Sequence, residues 1–148
     1  MSKFDTSLVK TMERMFDSCY ELTSLDLRSF DWSINKKFNN MFSNCTKLES
    51  TVFPNYKTES AMDMSYMFSG CSSLTELELK SFNTESVTNM QSMFSDCTGI
   101  DYLDLTSFNT QKCRNFNNMF EKTVNLTVKV NTRNCDNMVT AIQDYVEI

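Results

Sequence analysis

The pair Met-Phe stands at Met15-Phe16, Met41-Phe42, Met67-Phe68, Met93-Phe94 and Met119-Phe120, each 26 residues after the one before, with no insertion or deletion between. A fixed period of this size marks a repeat architecture in which each unit contacts only its neighbours. One such unit cannot bury its own apolar face. Stacking of like units buries it, so the period constrains this chain to a solenoid before any other feature is considered.

The rest of the unit repeats in columns. Phe30, Phe82 and Phe108 form one, with Phe4 before them and Tyr56 among them. Met12, Phe38, Met64, Met90 and Phe116 form the next. After the Met-Phe pairs come Cys19, Cys45, Cys71 and Cys97, with Thr123 in the last place, then Leu22, Leu48, Leu74, Ile100 and Leu126. Two further columns begin at Leu25 and Leu27 and break at Lys129 and Asn131.

Within a unit two patterns alternate. Val87, Met90, Met93, Phe94 and Cys97 fall at steps of three and four, which predicts one face of a helix, with Thr84 or Ser86 as N-cap. Leu74, Leu77 and Leu79 predict a short strand with one buried face. Strands stacked in parallel lie roughly 4.8 Å apart, whereas a helix is about 10 Å across. The mismatch predicts a curved α/β solenoid of about five units, strands concave and helices convex. One domain, residues 1–148, is expected, with repeats over about 4–130 and a cap over about 131–148. Asp136 opens an apolar pattern at Met138, Ile142, Tyr145 and Val146, read as a capping helix.

These columns resemble the BspA-like leucine-rich repeat family, found mainly on bacterial surface proteins. Its phrase Met-Phe-x-x-Cys-x-x-Leu-x-x-Leu-x-Leu-x-x-Phe-(Asp/Asn)-Thr-x-x-Val-x-x-Met is matched from Met67 through Phe82-Asn83-Thr84 to Val87 and Met90. The resemblance covers nearly all of residues 4–126. It departs at Thr51, Phe53, Pro54 and Tyr56, and after Leu126. It implies surface display and binding to host or neighbouring-cell molecules, and no shared ligand.

Composition narrows the chemistry. There is no His, so the commonest general base and transition-metal ligand is missing. No nucleophile–base set is visible, and neither an enzyme nor a cofactor is expected. The net charge of −5 argues against nucleic acid as a partner. No apolar run approaches the length of a membrane span, and the first residues lack the apolar core of a signal peptide. The six cysteines contain no Cys-x-x-Cys pair, so no metal site is expected. Equivalent residues of stacked units point the same way. Their Cβ atoms therefore stay farther apart than the about 3.8 Å a disulfide needs. Cys19, Cys45, Cys71 and Cys97 read as small apolar fillers, Cys113 as core, and Cys135 as an exposed thiol.

The exposed strand positions carry the functional expectation, because they vary while the buried columns repeat. The candidate binding residues are Asp26, Arg28, Glu76, Glu78, Lys80, Tyr102 and Asp104, with Val128, Val130 and Thr132 as the last exposed positions. The column through residue 78 reads Asp26, Val52, Glu78, Asp104, Val130, acidic wherever it is charged. The expected function is a non-enzymatic recognition module of a longer bacterial surface protein, adhering to a protein or glycan through the concave face. The alternative is an intracellular (cytoplasmic) protein-binding solenoid, an effector or inhibitor. A monomer is favoured.

Overall fold

The structure, a computed structural model, describes residues 5–55, 57–143 and 146–147. Successive units lie side by side in parallel. On one side, β1 (Ser24–Asp26) pairs with β2 (Ser50–Val52). Farther along, β3 (Tyr102–Leu105) pairs with β4 (Thr127–Val130), and β4 with β5 (Val146–Glu147). On the other side, parallel bridges join Thr11 to Lys37, Lys37 to Asp63, Asp63 to Asn89 and Asn89 to Asn115. Each step is one sequence period, so the columns are physical stacks.

The side expected to be helical is not. Among the described residues, none before Thr132 is helical. The run through Met-Phe is instead a chain of β-turns. Met93 N–H donates to Met90 O, Ser95 to Ser92 and Cys97 to Phe94, all i→i+3 bonds. The N–H groups between them leave the coil: Met90 donates to Asn115 O, Ser92 to Asn117 O, Phe94 to Met119 O and Asp96 to Glu121 O. The first, second and third coils repeat this alternation, while the N–H groups of Lys36, Met62, Thr88 and Arg114 donate back to carbonyls of the preceding coil.

The physical reason lies at two positions per coil. Ser92 and Asp96 have φ of 50° and 58°; Asn40, Asn44, Tyr66 and Gly70 are equally left-handed. A left-handed third residue belongs to a type II turn and breaks an α-helix. These positions carry mainly Asn, Asp, Ser and Gly, the residues that tolerate it. Steps of three and four therefore came from repeated four-residue turns, not from a helix.

This conformation removes the expected cause of curvature. The turn side is bridged to the next coil at every step, and the strand side is paired between β1 and β2 and between β3 and β4, so neither is a helix-width apart from its neighbour there. The stacked rings report the spacing directly. Phe16–Phe42, Phe42–Phe68, Phe68–Phe94 and Phe94–Phe120 have centroids 5.5, 5.5, 5.8 and 5.6 Å apart, with planes within 8° of parallel. Helices packed side by side would hold them at 8–10 Å. Strand side and turn side replace the concave and convex faces.

Thr84 does not cap a helix either. Its hydroxyl donates to Asn109 O at 2.9 Å and accepts from Asn109 N at 2.8 Å. Thr58 does the same with Asn83. The preceding Asn or Asp closes a local turn: Asn83 Oδ1 accepts from Glu85 N, and Asp31 Oδ1 from Ser33 N. The Phe-(Asp/Asn)-Thr phrase is thus a turn joined to a coil-to-coil clamp.

The C-terminal segment covers the last coil. Helix α1 (Thr132–Ala141) starts at Asn131, whose side chain accepts from Arg133 N, rather than at Asp136. It kinks at Cys135 (φ −134°) and buries Met138 completely. Ile142, just beyond it, is buried too, and Met119 and Phe120 of the last coil are 2% exposed. The expected helix does not run on to Val146. Val146 lies in β5 opposite Val128, and Tyr145 lies outside the described residues.

Candidate binding surface

The strand side carries the exposed, variable positions. Asp26, on β1, accepts from Arg28 Nη2 at 2.6 Å and from Arg28 N at 3.0 Å. The guanidinium hydrogen bond lowers the Asp26 carboxyl to about 2. Glu78 and Lys80 form an ion pair at 3.3 Å. Exposed pairs of this kind contribute little to stability. Their effect here is on charge pattern, since Asp26 and Glu78 each have a cation beside them, while exposed Glu76 has no ion pair among the described residues.

The last strand corrects the charge pattern further. Tyr102 pairs with Thr127, Leu103 with Val128, Asp104 with Lys129 and Leu105 with Val130. The offset is one residue short of the period. It puts Val128 in the core, leaves Val130 only partly exposed, and brings Lys129 out beside Asp104. The column through residue 78 therefore ends in a lysine, not in Val130, and is not uniformly acidic. Asp104 is lowered chiefly by Thr106, whose hydroxyl and N–H donate at 2.6 and 2.9 Å, and then by the charges of Lys129 and Lys80. Tyr102, 49% exposed, stands two residues before Asp104 on the same strand. Lys129 was missed because its column was assigned by strict periodicity. The alternation Thr127-Val128-Lys129-Val130 was the signal for the shift.

The seven candidate residues do not form one uninterrupted ladder. Asp26 belongs to the β1–β2 pair, with Arg28 two residues beyond it, and Tyr102 and Asp104 to the β3–β4–β5 sheet. Between them, residues 74–80 form no strand with either neighbour among the described residues. Bulk accounts for the gap. Trp32 occupies the Thr column and Phe53 the Leu column, and they meet Phe82 at 5.8 and 5.1 Å. Those rings stand where other coils hold Thr and Leu. The opening is a groove of about 310 Å³, lined by Val52, Phe53 and Pro54 on one side and Glu78, Lys80 and Ser81 on the other.

The thiols are placed as the period requires, with one exchange. All six are free. Cys45, Cys71 and Cys97 are fully buried, and each Sγ donates to a Phe carbonyl of the preceding coil, at 3.0, 3.2 and 3.1 Å. They are hydrogen-bond donors as well as fillers. Cys135, expected to be exposed, is buried and reaches Phe108 O at 3.1 Å. Cys19 is the exposed thiol, because no described coil covers it. Burial raises Cys45 to about 11 and Cys97 to about 12, with Cys71 also well above the ordinary thiol range. Among the described residues, no cluster of three or more His, Cys, Asp or Glu could hold a metal ion. No helix among them is long and apolar enough to cross a membrane.

Among curated proteins none matches the chain. A leucine-rich repeat protein of known crystal structure, from Bacteroides ovatus, is similar at 18% identity and a TM-score of 0.36, over 80% of this chain. The chain spans 39% of that protein's length. Residues 1–76 and again 36–147 match one family, and by that match the chain belongs to the family described as Mycoplasma protein of unknown function, DUF285.

Proposed function

We propose that the chain is a non-enzymatic recognition module, a leucine-rich repeat solenoid of the BspA-like kind, that binds a protein or glycan through its strand side. The observation that carries this reading is the division of labour within the coil. Met, Phe, Cys and Leu recur in buried columns, while the outward strand positions run Ser24, Ser50, Glu76 and Tyr102 in one column and Asp26, Val52, Glu78 and Asp104 in the next. Packing holds the first set and leaves the second free. Tyr102 supplies an amphipathic ring of the sort enriched at binding hot spots. Asp104, Lys80 and Lys129 around it form a mixed-charge rim suited to a polar, directional ligand. Display on a bacterial surface as part of a longer protein, with adhesion as the role, is the biological setting proposed.

The test pairs two charge reversals. Glu78→Lys with Asp104→Lys alters the strand side; Glu13→Lys with Glu85→Lys makes the same charge change on the turn side. Labelled protein is measured on host or neighbouring bacterial cells by flow cytometry, with folding checked by circular dichroism. The strand-side pair should lose binding and the turn-side pair retain it. The reverse result rejects the strand side as the binding surface. A second reading, an intracellular effector or inhibitor, is favoured by the six unpaired thiols. Binding to cytosolic proteins with none to cell surfaces would select it.

A further inference from the structure

Between the second and third coils the two sides of the stack differ. The turn side is joined as elsewhere: Phe38 N–H donates to Asp63 O and Phe42 N–H to Met67 O, both at 2.9 Å. On the strand side two couplings are missing. Between the first and second coils Leu27 N–H donates to Val52 O at 2.8 Å, but the same bond one coil later, Phe53 N–H to Glu78 O, is not made. Thr6, Thr58 and Thr84 each clamp the coil that follows. Trp32, in their column, has no hydroxyl, and the N–H of Lys57, which a Thr there would hold, meets no acceptor among the described residues.

The groove between Val52–Pro54 and Glu78–Ser81 lies along this open step, and its walls carry unused backbone groups. The N–H groups of Phe53, Glu78 and Lys80 and the carbonyl of Glu78 make no hydrogen bond among the described residues. Thr51, whose hydroxyl is buried without a partner, lines the same groove. One wall is apolar, with Val52 47% exposed beside buried Pro54. The other wall is charged. It begins with exposed Glu76 and continues through the Glu78–Lys80 ion pair. Lys80 and Ser81 also line a second cavity, of about 240 Å³, together with Lys57 and Asn83. The wall is therefore acidic at its start and basic at its end.

We propose that this groove binds an extended peptide of a partner protein, which takes up the strand-side bonds that the two coils do not make with each other. The inference rests on the strand side being the binding surface, and narrows its ligand from protein or glycan to a peptide strand. An extended chain carries N–H and C=O groups on both edges. It can give Phe53 N–H an acceptor and Glu78 O a donor at once. Main-chain bonds of this kind supply affinity, and pockets for alternate side chains supply specificity. Here an apolar side chain covers Val52 and Pro54, a Lys or Arg answers Glu76 and Glu78, and an Asp or Glu reaches Lys57 and Lys80. Trp32 and Phe53 hold the step open, so the site exists before the ligand arrives.

Selection from a random dodecapeptide phage library on the full chain tests the proposal, with a glycan array probed in parallel. Enriched peptides should carry an apolar run flanked by a basic and an acidic residue. A synthetic copy of one should slow hydrogen exchange at Phe53, Glu78 and Lys80. N-methylation along it should cost about tenfold at individual amides, the loss of one hydrogen bond. Val52→Arg, at an exposed position, should abolish binding with an unchanged melting temperature, and Glu76→Lys should weaken the peptides that carry the basic residue. Peptides indifferent to Val52→Arg but lost with Asp104→Lys would overturn the groove and leave the strand side as the binding surface. Peptides indifferent to both would overturn both. No enriched peptide, binding to glycans alone, or no amide sensitive to methylation overturns the peptide strand.

Discussion

The hydroxyl of Thr123 donates to the carbonyl of Phe94 at 2.7 Å, in the column where the Cys97 thiol reaches Phe68 O at 3.1 Å. The one departure from cysteine in that column keeps the hydrogen bond. What the column requires is a small side chain with a donor, not sulfur.

Thr and Val are nearly isosteric, so they separate the donor from the volume. Cys71→Thr should retain roughly 1 kcal/mol more stability than Cys71→Val, the usual net contribution of one hydrogen bond. Phe42 O keeps its bond from Cys45 N in both variants, which holds the difference to that size. Urea unfolding measures it. Equal stabilities would reduce the column to filler.

Native protein at pH 8 should show one rapidly reacting thiol, Cys19, and six after denaturation without reductant. Two or fewer after denaturation would mean disulfides. The buried thiols also set a pH dependence. Their folded values lie above the unfolded value of about 8.5, so the unfolded chain loses these protons first as pH rises. Stability is complete below about pH 8.5 and declines from there toward the folded values of Cys45 and Cys97, about 11 and 12. Unfolding free energies at pH 8 and pH 10.5, with reductant present, read the decline.

Left-handed positions should rank substitutions by backbone, not by polarity. Gly70 has φ +76°, and a Cβ there would lie 2.8 Å from Asn44 Oδ1. Gly70→Ala should cost about 1–2 kcal/mol, the strain of a left-handed non-glycine residue. Lys122 is exposed at φ 60°, so Lys122→Gly should be neutral or stabilising. Loss of stability in Lys122→Gly and none in Gly70→Ala would contradict the turn assignment.

Removal of the cap should unmask the last coil. Met138→Ala deletes a fully buried side chain and should cost about 2–5 kcal/mol. Deletion of residues 136–148 should lower the melting temperature more and expose Met119 and Phe120, with greater dye binding by hydrophobic probes. A truncation that melts like the full chain would make the segment a tail.

The 26-residue columns, read from Met15-Phe16 through Met119-Phe120, determined by themselves which residues are buried together. Identical apolar positions can be buried only against their own copies, so periodicity alone fixes the stack. The free thiols followed from the same geometry. The strand side was legible where alternation was clear, at Leu25 and Leu103. The strand predicted from Leu74, Leu77 and Leu79 does not form, although Leu77-Glu78-Leu79 alternates as Leu103-Asp104-Leu105 does; there Trp32 and Phe53 from other coils stand against Phe82.

Only the tertiary structure decided what the turn side is. Steps of three and four at Met90, Met93, Phe94 and Cys97 fit a helix and a run of four-residue β-turns equally well as a pattern of burial. The choice depends on where the intervening N–H groups find acceptors. In an isolated segment those acceptors lie within the segment and favour a helix. In the stack they lie on the next coil, and Ser92 N–H reaches Asn117 O at 2.9 Å instead. The one-residue shift that brings Lys129 beside Asp104 has the same origin: the pairing partner, not the local pattern, sets the register.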